Sequence, residues 1–164
     1  MNADFIKNVL EQRHPRDQWL FATEVRTTSG YGGGGQGGNN GVRYIDAFAM
    51  HLWPSKNFHR IAYEIKITKA DFLHELEQPT KRCQAVYLSD EFFFVLAPGI
   101  YDRTDTPRDT VAECGIMEVS EEGSIKIVRR ALSRYQRDDN GAWPMPIWFM
   151  ASFARRARDH RWEQ

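Results

Sequence analysis

The chain alternates short apolar runs with polar breaks, and the spacing inside each run predicts its element. From Asp4 to Arg13, Phe5, Val9 and Leu10 recur at helical spacing behind a capping Asp4, so a short amphipathic helix is expected. Pro15 punctuates it. Trp19 to Thr27 is aromatic and β-branched and reads as a strand, with a helical start left open. Arg43 to Lys66 carries two β-prone runs around the turn signal Pro54–Asn57, the pattern of a hairpin. Thr68 and Asp71 stand at capping-box spacing and open a helix whose buried side is expected to be Phe72, Leu73 and Leu76. Pro79 starts a further helix through Val86. Glu91 to Ala97 is a continuous apolar run, expected to be a central strand covered on both faces. A strand, then helix, then strand in one sheet implies a parallel crossover. Cys114–Val119 and Ser124–Arg129 suggest a second hairpin around Glu121-Glu122-Gly123. Ile147 to Arg161 reads as a terminal helix, with Ile147, Met150, Ala151 and Ala154 toward the core.

Composition narrows the class. A length of 164 residues favours one domain, residues 1–164. Hydrophobic content of 41%, with ten Phe, six Tyr and five Trp, argues against disorder. The formal net charge is zero, so nothing global calls for nucleic acid or a membrane surface. Arg129, Arg130, Arg134, Arg137, Arg155, Arg156, Arg158 and Arg161 make the C-terminal third locally basic. A solvated helix face is the default reading, and contact with a phosphate backbone is the functional one. Cys83 and Cys114 form no C-x-x-C, which excludes a disulfide framework and a structural zinc site and fits a reducing cytoplasm. Both thiols are expected to be buried and inert. The five histidines lack ligand spacing, and His51 and His59, flanking the turn, are expected at the surface. The N-terminal stretch has no continuous apolar run, so no signal peptide is expected. Ser29 to Gly41 is Gly-rich and reads as a mobile hairpin loop, of the kind that can also close over a ligand. It is no phosphate-binding P-loop, because no Lys-Ser/Thr follows it.

Charge inside the central hairpin changes the picture. Asp46 interrupts its first run, and Glu64 and Lys66 its second. Residues two apart on a strand share a face, so Glu64 and Lys66 point together. Pairing across the turn brings Asp46 near Glu64. Two carboxylates in a low-dielectric site repel by several kcal/mol. A divalent cation removes that penalty, and hard oxygen donors without a histidine cluster suit Mg²⁺ or Mn²⁺. Lys66 adds a positive charge aimed at a reacting anion or an activated water. Glu24, in the preceding run, is expected to reach the metal directly or through water. This set suits phosphodiester hydrolysis. The bland alternative is ordinary solvated charge on the outer face of a hairpin. Glycosidase chemistry with paired carboxylates is a weaker alternative, because it has no use for Lys66.

Asp46 followed by Glu64-Ile65-Lys66 resembles the signature of the PD-(D/E)XK nucleases. Glu24, Arg43-Tyr44-Ile45-Asp46, Glu64-Ile65-Lys66 and Ala70-Asp71-Phe72 together are similar to the MmcB-like DNA-repair nucleases of that superfamily. The likeness continues through Asp90, Phe92–Phe94, Gly115–Val119, Val128–Ala131 and Phe153–Arg155. It implies an α/β (α+β) fold, a mixed central β-sheet flanked by helices with a restriction-endonuclease-like core. It implies Mg²⁺ (or Mn²⁺) held by Asp46, Glu64, Glu24 and the Ile65 backbone carbonyl, with Asp46, Glu64, Lys66 and Glu24 as catalytic residues. DNA is the implied partner and substrate, in repair or processing, and a homodimer is a state known in the family. A catalytically inactive nucleic-acid-binding module on the same fold is the alternative.

Overall fold

The structure, a computed structural model, describes residues 1–27, 43–104, 113–133 and 145–162. The Gly-rich segment 29–41, with Arg134 and Arg137, lies outside the described residues. Helix α1 (Ala3–Arg13) is capped by Asn2, whose side chain accepts the Phe5 N–H at 2.9 Å. The expected cap, Asp4, instead sits in the first turn, where its charge complements the helix dipole. Strands β1 (Trp19–Arg26) and β2 (Tyr44–His51) follow, then β3 (Arg60–Lys66) after a short 3₁₀ turn at Pro54–Lys56. Helix α2 (Lys69–Leu76) opens with the expected box: Thr68 Oγ1 accepts the Asp71 N–H at 3.1 Å and donates to Asp71 Oδ2 at 2.7 Å. Helix α3 (Pro79–Leu88), β4 (Glu91–Leu96), β5 (Gly115–Val119), β6 (Ile125–Arg129) and α4 (Ile147–Trp162) complete the order.

The strands form one six-stranded sheet in sequence order. β1–β2, β2–β3 and β5–β6 pair antiparallel, whereas β3–β4 and β4–β5 pair parallel. The fold class is therefore α+β with a mixed sheet. The α2–α3 segment supplies the crossover between β3 and β4 that the pattern implied. β4 alternates across both cores, with Phe92, Phe94 and Leu96 on one face and Phe93 and Val95 on the other. The first face packs on α2, α3 and α4 through Phe72, Leu76, Ala85, Phe149 and Phe153. The second packs on α1 through Ile6, Val9 and Leu10. Each such large side chain contributes about 1.5–3 kcal/mol by leaving water. At the start of β5 a Cβ on Gly115 would overlap the Phe93 ring, so only glycine admits that contact.

Three expectations are corrected. In α4 the buried stripe is Phe149, Phe153 and Ala157, while Ile147 is 85% exposed and Ala151 and Ala154 face solvent. The two phenylalanines bury more apolar area than the alternative stripe, and both pack edge-on against Phe48 of β2, at 5.1 and 5.0 Å. Cys114 is buried as expected, but Cys83 is exposed on α3. His51 is buried against Trp19, and His59 is mostly covered beside Asp90 and Glu91. Asp90 itself is 1% exposed and Arg60 3%. The Asp90 carboxylate accepts the Arg60 main-chain N–H at 2.8 Å and its guanidinium at 3.2 Å, which joins the starts of β3 and β4. Among the described residues, no helix is long and apolar enough to cross a membrane.

Candidate active site

The alternation of β3 sends Ile61, Tyr63 and Ile65 to the α1 side. Glu64 and Lys66 therefore face α2 and α3, on a strand otherwise buried. There Lys66 Nζ lies 2.6 Å from Glu64 Oε1, and the side chains are 17% and 18% exposed. The expected pairing of these two residues on one face is what the strand delivers.

Asp46 reaches the same place by a different device. The β2–β3 ladder runs from Met50↔Arg60 to Ala47↔Tyr63 and then ends. Beyond it Asp46 Oδ2 accepts the Ile65 N–H at 2.8 Å, so a side chain takes the donor that a continued ladder would have used. The sheet changes phase at this level. Ala22 and Val25 share one core layer, as do Ile45 and Phe48, although an odd step separates each pair. The break coincides with Glu24, whose φ of 52° is left-handed. Such a backbone costs on the order of 1–3 kcal/mol in a residue with a side chain, and persists where surroundings over-determine it. Those surroundings are Lys7 of α1, 2.9 Å from Glu24 Oε1, and Arg156 of α4, 3.5 Å from Oε2. Arg156 Nε also donates to the neighbouring Thr23 carbonyl at 3.0 Å.

Glu24 is thus placed among cations from two helices, with its side chain 54% exposed. The hydrogen bond from Lys7, its charge and that of Arg156 hold the Glu24 carboxyl below its usual range. Its link to the other acids runs through Lys7, whose charge also acts on Asp46.

The two hairpin acids are held in an unfavourable state. Burial pushes the Glu64 carboxyl up to about 7, the Asp46 charge adds to this, and Lys66 works against it. Asp46 is also raised, first by burial, although the Ile65 N–H, Lys66 and Lys7 oppose the shift. For Lys66 burial favours the neutral amine, but Glu64, Glu75 and Asp46 outweigh it and raise its pKa. Burial and mutual repulsion thus disfavour the charged forms of both acids, a strain that a bound cation would relieve.

Glu75 is the site residue that sequence reasoning misses. It lies on α2 between Phe72 and Leu76, is 8% exposed, and its Oε2 is 3.5 Å from Lys66 Nζ. Its spacing of three from Phe72 was the available signal, since that places an acid on the buried side of the helix.

A cleft of about 290 Å³ opens beside these groups, lined by Thr27, Arg43, Glu64, Glu75, Lys81 and Arg82 among others. Arg43 Nη1 donates to the Thr80 carbonyl at 2.7 Å, and Arg82 Nη1 to the Glu75 carbonyl at 3.1 Å. Both guanidiniums are therefore fixed on the α2–α3 wall. Thr27 and Arg43, the residues flanking the undescribed Gly-rich segment, are joined by a 2.9 Å main-chain hydrogen bond at the cleft.

The donor chemistry of Asp46 and Glu64 fits a hard divalent cation, which would relieve their repulsion. Among the described residues, no three His, Cys, Asp or Glu side chains are grouped to hold a metal ion. A scan against protein-family models finds no match to this chain, and a search of curated proteins finds no significant match either.

Proposed function

We propose that the protein is a metal-dependent nuclease that hydrolyses phosphodiester bonds in DNA, in repair or processing. One observation carries the reading. Asp46 from β2 and the Glu64–Lys66 pair from β3 meet at the end of the β2–β3 ladder beside a cleft bearing Arg43, Lys81 and Arg82. This reading agrees with the likeness of those positions to the MmcB-like PD-(D/E)XK nucleases.

In this reading Asp46 and Glu64 hold Mg²⁺ or Mn²⁺, with the Ile65 main-chain carbonyl as a further donor. When bound, such a cation would supply Lewis-acid polarisation of a phosphoryl oxygen and would acidify a nearby water. The protein's own residues prepare the rest. The Ile65 N–H fixes the Asp46 carboxylate in one orientation. Burial keeps Glu64 poorly solvated, so its charge is strongly felt by any cation in the cleft. Lys66 holds positive charge where the pentavalent phosphorus gathers negative charge. Arg43, Lys81 and Arg82 line a wall that suits a polyanionic backbone whatever its sequence. Glu24 acts from outside the acid pair, by tying α1 and α4 to the strand break that aims Asp46. The two-cysteine composition suits a reducing cytoplasm.

The test is direct. Purified protein with Mg²⁺ or Mn²⁺ is expected to nick or degrade DNA, and Glu64→Ala to abolish this. Activity that survives Glu64→Ala refutes the assignment. A second reading, a nucleic-acid-binding module without catalysis, draws on the short Lys66–Glu64 pair, which already neutralises one acid. It predicts salt-sensitive DNA binding with no metal uptake.

A further inference from the structure

Lys66 has two carboxylates within reach, and only Glu64 belongs to the nuclease constellation. Its Nζ lies 2.6 Å from Glu64 Oε1 and 3.5 Å from Glu75 Oε2. Glu75 stands on the α2 stripe with Phe72 and Leu76, and its side chain is 11% exposed. An acid on a buried helix stripe is costly unless it is paired. Its ion-pair partner is Lys66, which reaches it from the neighbouring strand. The next acid along, Glu77, is 76% exposed and pairs with His74, so it bears no relation to the site.

We infer that Glu75 is a positioning residue: it is the second acceptor, which takes the Lys66 ammonium when the Glu64 carboxylate engages a divalent cation. The inference rests on the metal-dependent reading above. With Lys66 hydrogen-bonded to Glu64, the ammonium and a metal ion compete for one carboxylate. A lysine with no other acceptor would either stay and repel the incoming cation or swing away into solvent. Glu75 offers a third course. The ammonium shifts from one oxygen to another already beside it, stays paired, and remains at the edge of the cleft. Because Glu64 and Lys66 leave the same face of β3 while Glu75 comes from α2, the exchange needs side-chain rotation alone. Glu75 touches neither metal nor substrate in this scheme.

Calorimetric titration of Mn²⁺ into the full chain tests it, using wild type, Glu75→Gln, Lys66→Met and the double variant. Glu75→Gln is expected to bind Mn²⁺ about tenfold more weakly, the scale of one partly buried ion pair that the metal must now break. Lys66→Met, freed of the competing ammonium, binds at least as tightly as wild type. In the Lys66→Met background, Glu75→Gln has no further effect. This non-additivity is the readout. A Glu75 that only braced the fold, or only attracted the metal by its charge, would weaken binding equally in both backgrounds. That outcome overturns the inference and leaves the metal site standing, as does unchanged affinity in Glu75→Gln. Wild type that takes up no Mn²⁺ overturns both. Glu75→Asp, which keeps the charge but draws the oxygen back from Lys66, serves if the Gln variant fails to fold. Weakened binding is again expected, and wild-type binding refutes.

Discussion

Replacing Glu64 by Gln is expected to inactivate the protein and yet to stabilise its metal-free form at high pH. The Glu64 carboxyl titrates near 7 in the fold against 4.5 when unperturbed. Between those values the folded state binds a proton that the unfolded chain has released, so stability falls as pH rises. The gap of about 2.5 pH units, at roughly 1.36 kcal/mol each, amounts to about 3 kcal/mol lost by pH 8. The amide of the Glu64→Gln variant cannot ionise and escapes this loss. It also gives up the 2.6 Å contact with Lys66, but Glu75 remains as a partner for the ammonium. The figure of about 3 kcal/mol is already net of that contact, because Lys66 opposes the upward shift of the Glu64 carboxyl. The cleaner quantity is the pH dependence of the difference. Urea unfolding of both proteins from pH 4 to pH 8 should show the variant gaining on wild type by up to about 3 kcal/mol across that range. Added Mg²⁺ at pH 8 should then stabilise wild type and leave the variant unchanged, because the ligand binds only the folded state with an intact site. A difference that stays flat with pH refutes the claim that Glu64 is held in an unfavourable ionised state.

Two further outcomes follow from the frame around the site. His14, 3% exposed with Nε2 2.8 Å from the Tyr63 hydroxyl, is lowered to about 4 by burial, with the Arg13 charge as a lesser cause. The unfolded chain therefore binds the extra proton between about 6.5 and 4, and His14 withdraws about 3 kcal/mol of stability as pH falls through that window. This slope opposes that of Glu64, so the wild-type profile partly hides both; a His14→Gln-minus-wild-type curve without pH dependence would refute it. Asp90→Ala leaves the nearly inaccessible Arg60 guanidinium without its carboxylate and is expected to cost about 3–5 kcal/mol in chemical denaturation, with a loss under about 1 kcal/mol counting against the buried pair as a staple of β3 to β4.

The legible part of the site was the part governed by local periodicity. Glu64 and Lys66 share a face because a strand repeats every two residues, and that holds wherever the strand lies. Asp46 was brought near them by the Pro54–Asn57 turn, which needed only a hairpin. Thr68 and Asp71 cap α2 through contacts three residues apart, equally visible in the chain. Glu24 shows where that reasoning stopped. Its place in an apolar run marked it as unusual, but its companions, Lys7 and Arg156, lie 17 and 132 residues away and arrive only when α1 and α4 dock.

The rest needed tertiary structure because two answers were locally equivalent. Along α4, both Ile147/Met150/Ala151/Ala154 and Phe149/Phe153/Ala157 make apolar stripes at helical spacing. Packing of Phe149 and Phe153 around Phe48 chose between them. Glu75 sits on a stripe that would otherwise be apolar, and only the docking of α2 over β3 brings it to Lys66. The early end of the β2–β3 ladder, which leaves the Ile65 N–H to Asp46, lies level with the left-handed backbone of Glu24 on the neighbouring strand. By itself the sequence determined the elements, their order and the three residues at the hairpin, since those follow from spacing along the chain. Which acid meets which cation was decided only by the packed fold, because charge acts through space and burial sets its strength.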